Sequence, residues 1–312
     1  MLLLSKAADK APRRGPGPED PVKQERAIGQ VVFNALRGVV NSLDDATIAL
    51  LDPSRIVASI NWLEVGETLM QVADPLEQVI TNAAAEVIPK TQLAKATLVL
   101  DEPLPIEFEM INQLAVAFAA EHSGALVMEI STKMRDSIAT MLTGLVAGQL
   151  PRHSLLQLLR LTIPLHSAWA EVVDRVYADT YLENIESGAS PAKADQIAQR
   201  RAYVRSERLL SARVKNIARS EAMRAMNEGK WSGWSQQIGD GWMPVDSLKE
   251  WLEGRSPCKE CAPLVGEIRL WDEPFSNGQM MPPQHPSCRC TAALLPPDRE
   301  YVQARERQLA AG

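Results

Sequence analysis

Several things are scarce in this chain, and each scarcity excludes something. Aromatic residues make up 5% of its 312 residues, and five of the seven tryptophans fall after residue 230, which implies at least two regions of different construction. Uncharged apolar runs of the length needed to span a bilayer, about 18 residues, are absent, so no membrane-crossing helix is expected. The opening MLLLSKAADKAPRRGPGPEDP lacks the apolar stretch of a secretory signal, and the expectation is a soluble protein made in the cytoplasm. Positive charge is also short: 33 Lys and Arg stand against 39 Asp and Glu, a formal net charge of −6. That balance excludes a general electrostatic attraction to nucleic acid or anionic membrane, so any such contact needs a local patch.

Cysteine is the scarcest informative residue, and its four copies sit together as Cys258, Cys261, Cys288 and Cys290, with His285 just before the second pair. The pattern is C-x2-C followed by H-P-S-C-R-C. Thiolates and a neutral imidazole are soft to borderline donors suited to tetrahedral zinc, and a C-x2-C loop presents two of them to one ion. Five donors compete for four places, and the spacing does not choose among them. Two disulfides, formed after cytosolic assembly, or unmodified thiols packing a small core also satisfy the pattern. The chain has no H-E-x-x-H or H-x-E partner to supply a general base, so a bound metal is expected to be structural and no catalytic residue is assigned.

The fold expected is mainly α, with a multi-helix N-terminal and central region and a small irregular α+β C-terminal domain stapled by the Cys/His cluster. Residues 1–25, rich in Pro, Gly, Lys and Arg near their middle, read as a flexible arm. Residues 26–95 read as a helical docking module, because Ile28, Val31, Val32, Leu36, Val39 and Val40 recur at helical spacing, as do Leu69, Val72, Leu76, Val79 and Ile80. Asp52-Pro53 and Asp74-Pro75 look like cap and first-turn pairs. Residues 96–237 form a helical core, beginning with a short strand or linker over 96–105. In it Ser154 caps a leucine-rich helix interrupted by Pro164, and Ser190-Pro191 starts a long helical run to about Gln237, in one or two pieces. Residues 238–298 form the small α+β Cys/His domain, with VDSLKEWL as a brief helix or strand, VGEIRLWDEPF as a hairpin, and Trp242, Trp251 and Trp271 as its core. Residues 299–312 are a tail.

Helical arithmetic on the long run is informative. At 100° per residue, Arg201, Arg205, Arg208, Lys215 and Arg219 fall within about 40° of one line, while Tyr203, Leu210, Val214 and Ile217 gather opposite. The basic stripe is a solvated face or a contact for packaged DNA or an acidic protein surface. Glu221 falls on the apolar side and needs a partner, for which Arg224 and Arg213 are in reach, giving a structural ion pair.

The series IARSEAMRAMNEGKWSGW, KEWLEGRSPCKECAPLVGEI and PPQHPSCRCTAALLP resembles the C-terminal region of the phage Mu F-like minor head proteins, also called phage head morphogenesis proteins. The family's I-A-R-T-E helix corresponds to Ile217–Glu221 with Ser220 in place of Thr. Its tryptophan before C-x2-C is Trp251, its Leu-x-Gly-x-hydrophobic turn is Leu264–Ile268, and its terminal H-P-x-C-R-C runs from His285 to Cys290. Weaker similarity extends upstream, so the resemblance covers about residues 110–297. It implies a virion protein of a tailed phage, inside the capsid near the portal, present in few copies and supporting head assembly, DNA packaging or DNA delivery. Its partners would be the portal protein, the major capsid protein, or both, with packaged DNA as a further one, and no membrane during assembly in the host cytoplasm. The resemblance implies no enzymatic activity and does not settle zinc against disulfides. Two other readings fit the same residues: a zinc-dependent hydrolase, nuclease or toxin-like module, for which Glu260 and Glu267 are candidate bases by spacing alone, and a zinc-stabilised nucleic-acid-binding protein.

Overall fold

The computed structural model describes residues 22–43, 53–96, 117–126, 128–130, 132–133, 158, 160–254 and 259–298. The chain is mainly helical, closed at its C-terminal end by a three-stranded antiparallel sheet. Among the described residues the first helices are α1 (Val22–Asn41), α2 (Pro53–Ser59), α3 (Trp62–Met70) and α4 (Ala73–Ala96). After the helical residues 117–126 come α5 (Ser167–Glu186) and α6 (Pro191–Gly239), then β1 (Leu248–Leu252), β2 (Ile268–Leu270) and β3 (Thr291–Leu295).

The aliphatic stripes of α1 and α4 are where the large core forms. Ile28, Val32, Leu36 and Val39 meet Leu69, Leu76 and Ile80, and all of them pack with Leu210, Ala218 and Ala222 of α6. Burying such side chains contributes on the order of 1.5–3 kcal/mol each. The crossing of α4 and α6 is close because Gly229 lets it be: a Cβ there would lie 2.4 Å from the Ile80 carbonyl oxygen.

Ser190 is extended and Pro191 opens α6, the arrangement in which proline's missing N–H costs nothing. The helix then runs unbroken for 49 residues, so the two-piece alternative is discarded. Its N-terminal half buries a face that the apolar arithmetic misplaced. Ala194, Ala198, Ala202, Ser206 and Leu209 are buried there, whereas Tyr203 is 50% exposed. Alanine and serine let helices approach closely but carry little hydrophobic signal, so periodicity favours the tyrosine over them as the buried side chain.

Near Asp74-Pro75 the helix starts two residues before the expected first position Pro75, at Ala73, with the Leu76 N–H donating to the Val72 carbonyl. α2 begins at Pro53, while Asp52, Ser154 and residues 97–116 lie outside the described residues. VGEIRLWDEPF does not fold on itself. Its strand β2 pairs with β1, Leu248 opposite Leu270, and β1 pairs on its other edge with β3, Leu252 opposite Thr291. The small C-terminal core also differs from expectation: Trp251 is fully buried, but its aromatic neighbours are Phe275, edge-on at 5.0 Å, and Trp234 from the end of α6. Trp242 stays outside that cluster, and Trp271 lies tilted against Trp231 at the margin. The long helix therefore supplies part of the core that sequence spacing assigned wholly to the segment after it.

Candidate metal centre

Three of the five expected donors converge. Cys261, at the start of a short 3-10 turn, His285 and Cys288 place their ligand atoms within 4.8 Å of one another. Cys261 Sγ lies 3.2 Å from His285 Nε2 and 3.6 Å from Cys288 Sγ. Tetrahedral zinc, with Zn–S of ~2.3 Å and Zn–N of ~2.0–2.1 Å, sets two sulfurs ~3.8 Å apart and a sulfur and a nitrogen ~3.5 Å apart. The observed separations agree with that within a few tenths of an ångström. His285 Nδ1 is 2.9 Å from the Pro286 carbonyl oxygen, which accepts its proton and leaves the Nε2 lone pair for a metal. The residues thus fit a metal ion.

None of the three described cysteines is in a disulfide, and the 3.6 Å between Cys261 and Cys288 is a non-bonded distance. Cys258 lies outside the described residues. Cys290 is buried beside the group rather than in it. A hydrogen bond from the Cys290 thiol, opposed by burial, draws the Cys288 thiol down to about 5, with the Cys290 backbone N–H adding to the effect at 3.4 Å. The same interaction and burial push Cys290 up. The Gly254 N–H and the Trp251 indole N–H are directed at the Cys290 sulfur, although the indole makes no hydrogen bond of good geometry.

The H-P-S-C-R-C loop is held by α6. Ser287 sits at φ 61, a left-handed conformation costly for a residue with a side chain. It is fixed there on both sides: its N–H donates to Ser220 Oγ at 2.8 Å, and its hydroxyl donates to Asn216 Oδ1 at 2.8 Å. Two turns beyond Ser220 along the helix, Asn227 donates to the Cys290 carbonyl at 3.2 Å and accepts from the Thr291 hydroxyl at 2.7 Å, while Lys230 donates to Thr291 Oγ1 at 2.8 Å. Glu25 of α1 joins in, 3.4 Å from Arg219 and 3.6 Å from Arg289. Gly254 completes the frame, since a Cβ there would stand 2.7 Å from the Arg289 carbonyl oxygen. Asn216, Asn227, Ser287 and Gly254 were not singled out in the sequence. A glycine four residues before a C-x2-C pair was the one available hint.

The match to a family model described as Phage Mu protein F like protein spans residues 176–293, from the middle of α5 into β3. Residues 176–293 are thus similar to the phage Mu F-like proteins. The matched region is narrower than the 110–297 anticipated, and residues 110–175 lie outside it. It takes in the whole metal centre and the whole of α6, so the Mu F-like region is one physical unit in which the I-A-R-S-E helix turn and the H-P-S-C-R-C loop touch. No curated protein and no solved structure matches the chain.

Within the Mu F-like region, Glu221 is buried and Arg224 Nη1 lies 3.2 Å from its Oε2. His122, from the helical residues 117–126, also bonds that carboxylate and was missed, because only the tertiary fold brings it near. Arg213 goes elsewhere, donating to the Pro164 carbonyl at 2.6 Å, and burial draws its pKa down to about 10. Glu267 is turned away from the thiols: it accepts from Ser276 N–H and Oγ and pairs with Arg269 at 2.5 Å. Burial raises its pKa, but these bonds outweigh it and hold the carboxyl below its usual range. Glu260 is exposed and stands outside the donor group.

The basic stripe divides. Arg219 is turned to Glu25 and half-shielded. Arg201 meets Glu183 of α5 at 3.1 Å on the surface, and Arg205, Arg208 and Lys215 are exposed without an ion-pair partner among the described residues. Arg200, Arg201, Arg205 and Arg208 rim an open hollow of about 520 Å³ between α5 and α6, floored by Val176, Ile197 and Val204.

Proposed function

We propose that this chain is a minor head protein of a tailed bacteriophage, housed in the virion on the capsid interior near the portal and assembled in the host cytoplasm. The observation that carries the reading is the coincidence of the family match with one structural unit, α6 and the donor loop it grips. Portal protein and major capsid protein are the partners it calls for, packaged DNA a further one, and its work is to support head assembly, DNA packaging or delivery. The role is structural, not enzymatic: the converging thiols are buried in a hydrophobic core, where a metal stabilises a fold, and neither Glu260 nor Glu267 is placed to serve it as a base. Purified DNA-filled heads are expected to contain the chain at a small fixed copy number. Its presence in lysates but absence from such heads overturns the reading.

The metal in this reading is structural zinc on Cys261, His285 and Cys288, with Cys258, three residues before Cys261, as the fourth ligand. Cys290 is left as the hydrogen-bond donor to Cys288. When bound, the ion would tie the 3-10 turn to the H-P-S-C-R-C loop and contribute folding free energy directly. Metal analysis of the purified protein is expected to find one zinc per chain, lost in Cys258→Ser and kept in Cys290→Ser. Loss in Cys290→Ser with retention in Cys258→Ser reverses the assignment of the fourth ligand.

A further inference from the structure

The arginine hollow has a counterpart of opposite charge on α3. On α3, Leu63 is 73% exposed and Met70 is 40% exposed, with Glu67 between them at helical spacing and Glu64 beside it. Asp74, in the first turn of α4, continues the acidic edge. Glu67 and Asp74 have no ion-pair partner among the described residues. Large apolar side chains standing in water between uncompensated carboxylates are unusual for a face that meets only solvent. The hollow between α5 and α6 has the opposite character, with guanidinium groups around an aliphatic floor.

We propose that these two faces bind each other between copies: the Leu63–Met70 edge of one copy seats in the Arg200–Arg208 hollow of the next. Leu63 and Met70 would cover Val176, Ile197 and Val204, and Glu64, Glu67 and Asp74 would meet the arginine rim. The aliphatic floor argues for a protein occupant over a nucleic acid, because a row of phosphates gains nothing from covering the partly exposed Val176, Ile197 and Val204. Since the two faces differ, the contact is heterologous and each copy uses both, so association proceeds head to tail into a closed ring or an open array. The inference rests on these surfaces alone and is independent of the head-protein reading.

The test is sedimentation of the full chain across a wide range of concentration at low and high salt. The wild-type mass is expected to rise with concentration at low salt and to fall back towards the monomer at high salt, as screening weakens the rim. Arg205→Glu with Arg208→Glu, and separately Leu63→Lys with Glu67→Lys, are each expected to stay monomeric, since each spoils one face. An equimolar mixture of the two double variants is expected to associate at least to a one-to-one dimer, because one intact pair of faces remains. All four positions are exposed, and unchanged circular dichroism checks the fold; if a charge reversal unfolds the chain, Arg205→Gln and Glu67→Gln replace it, each expected to lower the association several-fold. A wild type that is monomeric throughout at low salt overturns the proposal, as does a mixture that stays monomeric. Duplex DNA binding that disappears in the arginine variant of an always-monomeric protein gives the hollow to nucleic acid and likewise overturns it.

Discussion

Ser220 Oγ accepts the Ser287 N–H at 2.8 Å and itself donates to the Asn216 carbonyl, so one hydroxyl joins the middle of the long helix to the loop carrying His285 and Cys288. The family's usual threonine at this position offers the same hydroxyl. Ser220→Thr is expected to be near neutral, and Ser220→Ala to cost about 1–2 kcal/mol, the loss of a hydrogen bond that leaves a shielded N–H unpaired. Chemical denaturation of the two variants side by side checks it. Equal destabilisation by both would mean that the hydroxyl is not what holds the loop.

If the donor group holds zinc, removing the metal should act on the C-terminal core first. Chelation of the wild type is expected to lower the melting temperature and to release Trp251, whose fluorescence reports the core shared with Cys261, Cys288 and Phe275. Cys261→Ser and Cys288→Ser are expected to melt like the chelated wild type and to be insensitive to chelator.

Gly229 and Gly233 face the same helix but differ in clearance. A Cβ at Gly229 would overlap the Ile80 carbonyl at 2.4 Å, whereas at Gly233 its nearest neighbour is Ala84 at 3.5 Å, an ordinary contact. Gly229→Ala is therefore expected to destabilise by about 1–3 kcal/mol through forced separation of α4 and α6. Gly233→Ala should be neutral or stabilise by up to about 1 kcal/mol, from alanine's better helix propensity. Thermal melts of both variants decide between them.

Asp174 of α5 is largely buried, with Oδ1 unpaired, and burial together with Glu171 raises its carboxyl pKa to about 6. Because the folded state holds this proton more tightly than the unfolded one, the native state loses stability as pH rises from about 4 to about 6, and the loss persists above. Asp174→Asn, which does not titrate, is expected to gain about 2 kcal/mol over wild type at neutral pH, with the difference vanishing below pH ~4. Urea denaturation at several pH values measures it. A difference that does not change with pH would contradict the assignment.

What could be read from the chain, and what could not, follows from the range of the signals. The α1 and α4 stripes, the start of α6 at Ser190-Pro191 and the convergence of Cys261, His285 and Cys288 rest on spacing within a helix or on the chemistry of a rare residue, and both are visible locally. The buried Ala198, Ala202 and Ser206 face was invisible because small residues pack without marking themselves as hydrophobic. β2 was read as half of a hairpin because its true partner, β1, lies across the cysteine turn. His122 at Glu221 and Gly254 against Arg289 are contacts between distant segments, which no window along the sequence contains.

The length of α6 has a mechanical consequence. At 1.5 Å per residue its 49 residues form a strut of about 73 Å, with the arginine hollow near one end and Asn227, gripping the Cys290 loop, about 33 Å further along from Arg205. A continuous helix has no joint between those points to absorb a twist. Torque applied where the arginines are held is carried by the backbone itself to the Asn227–Cys290 contact.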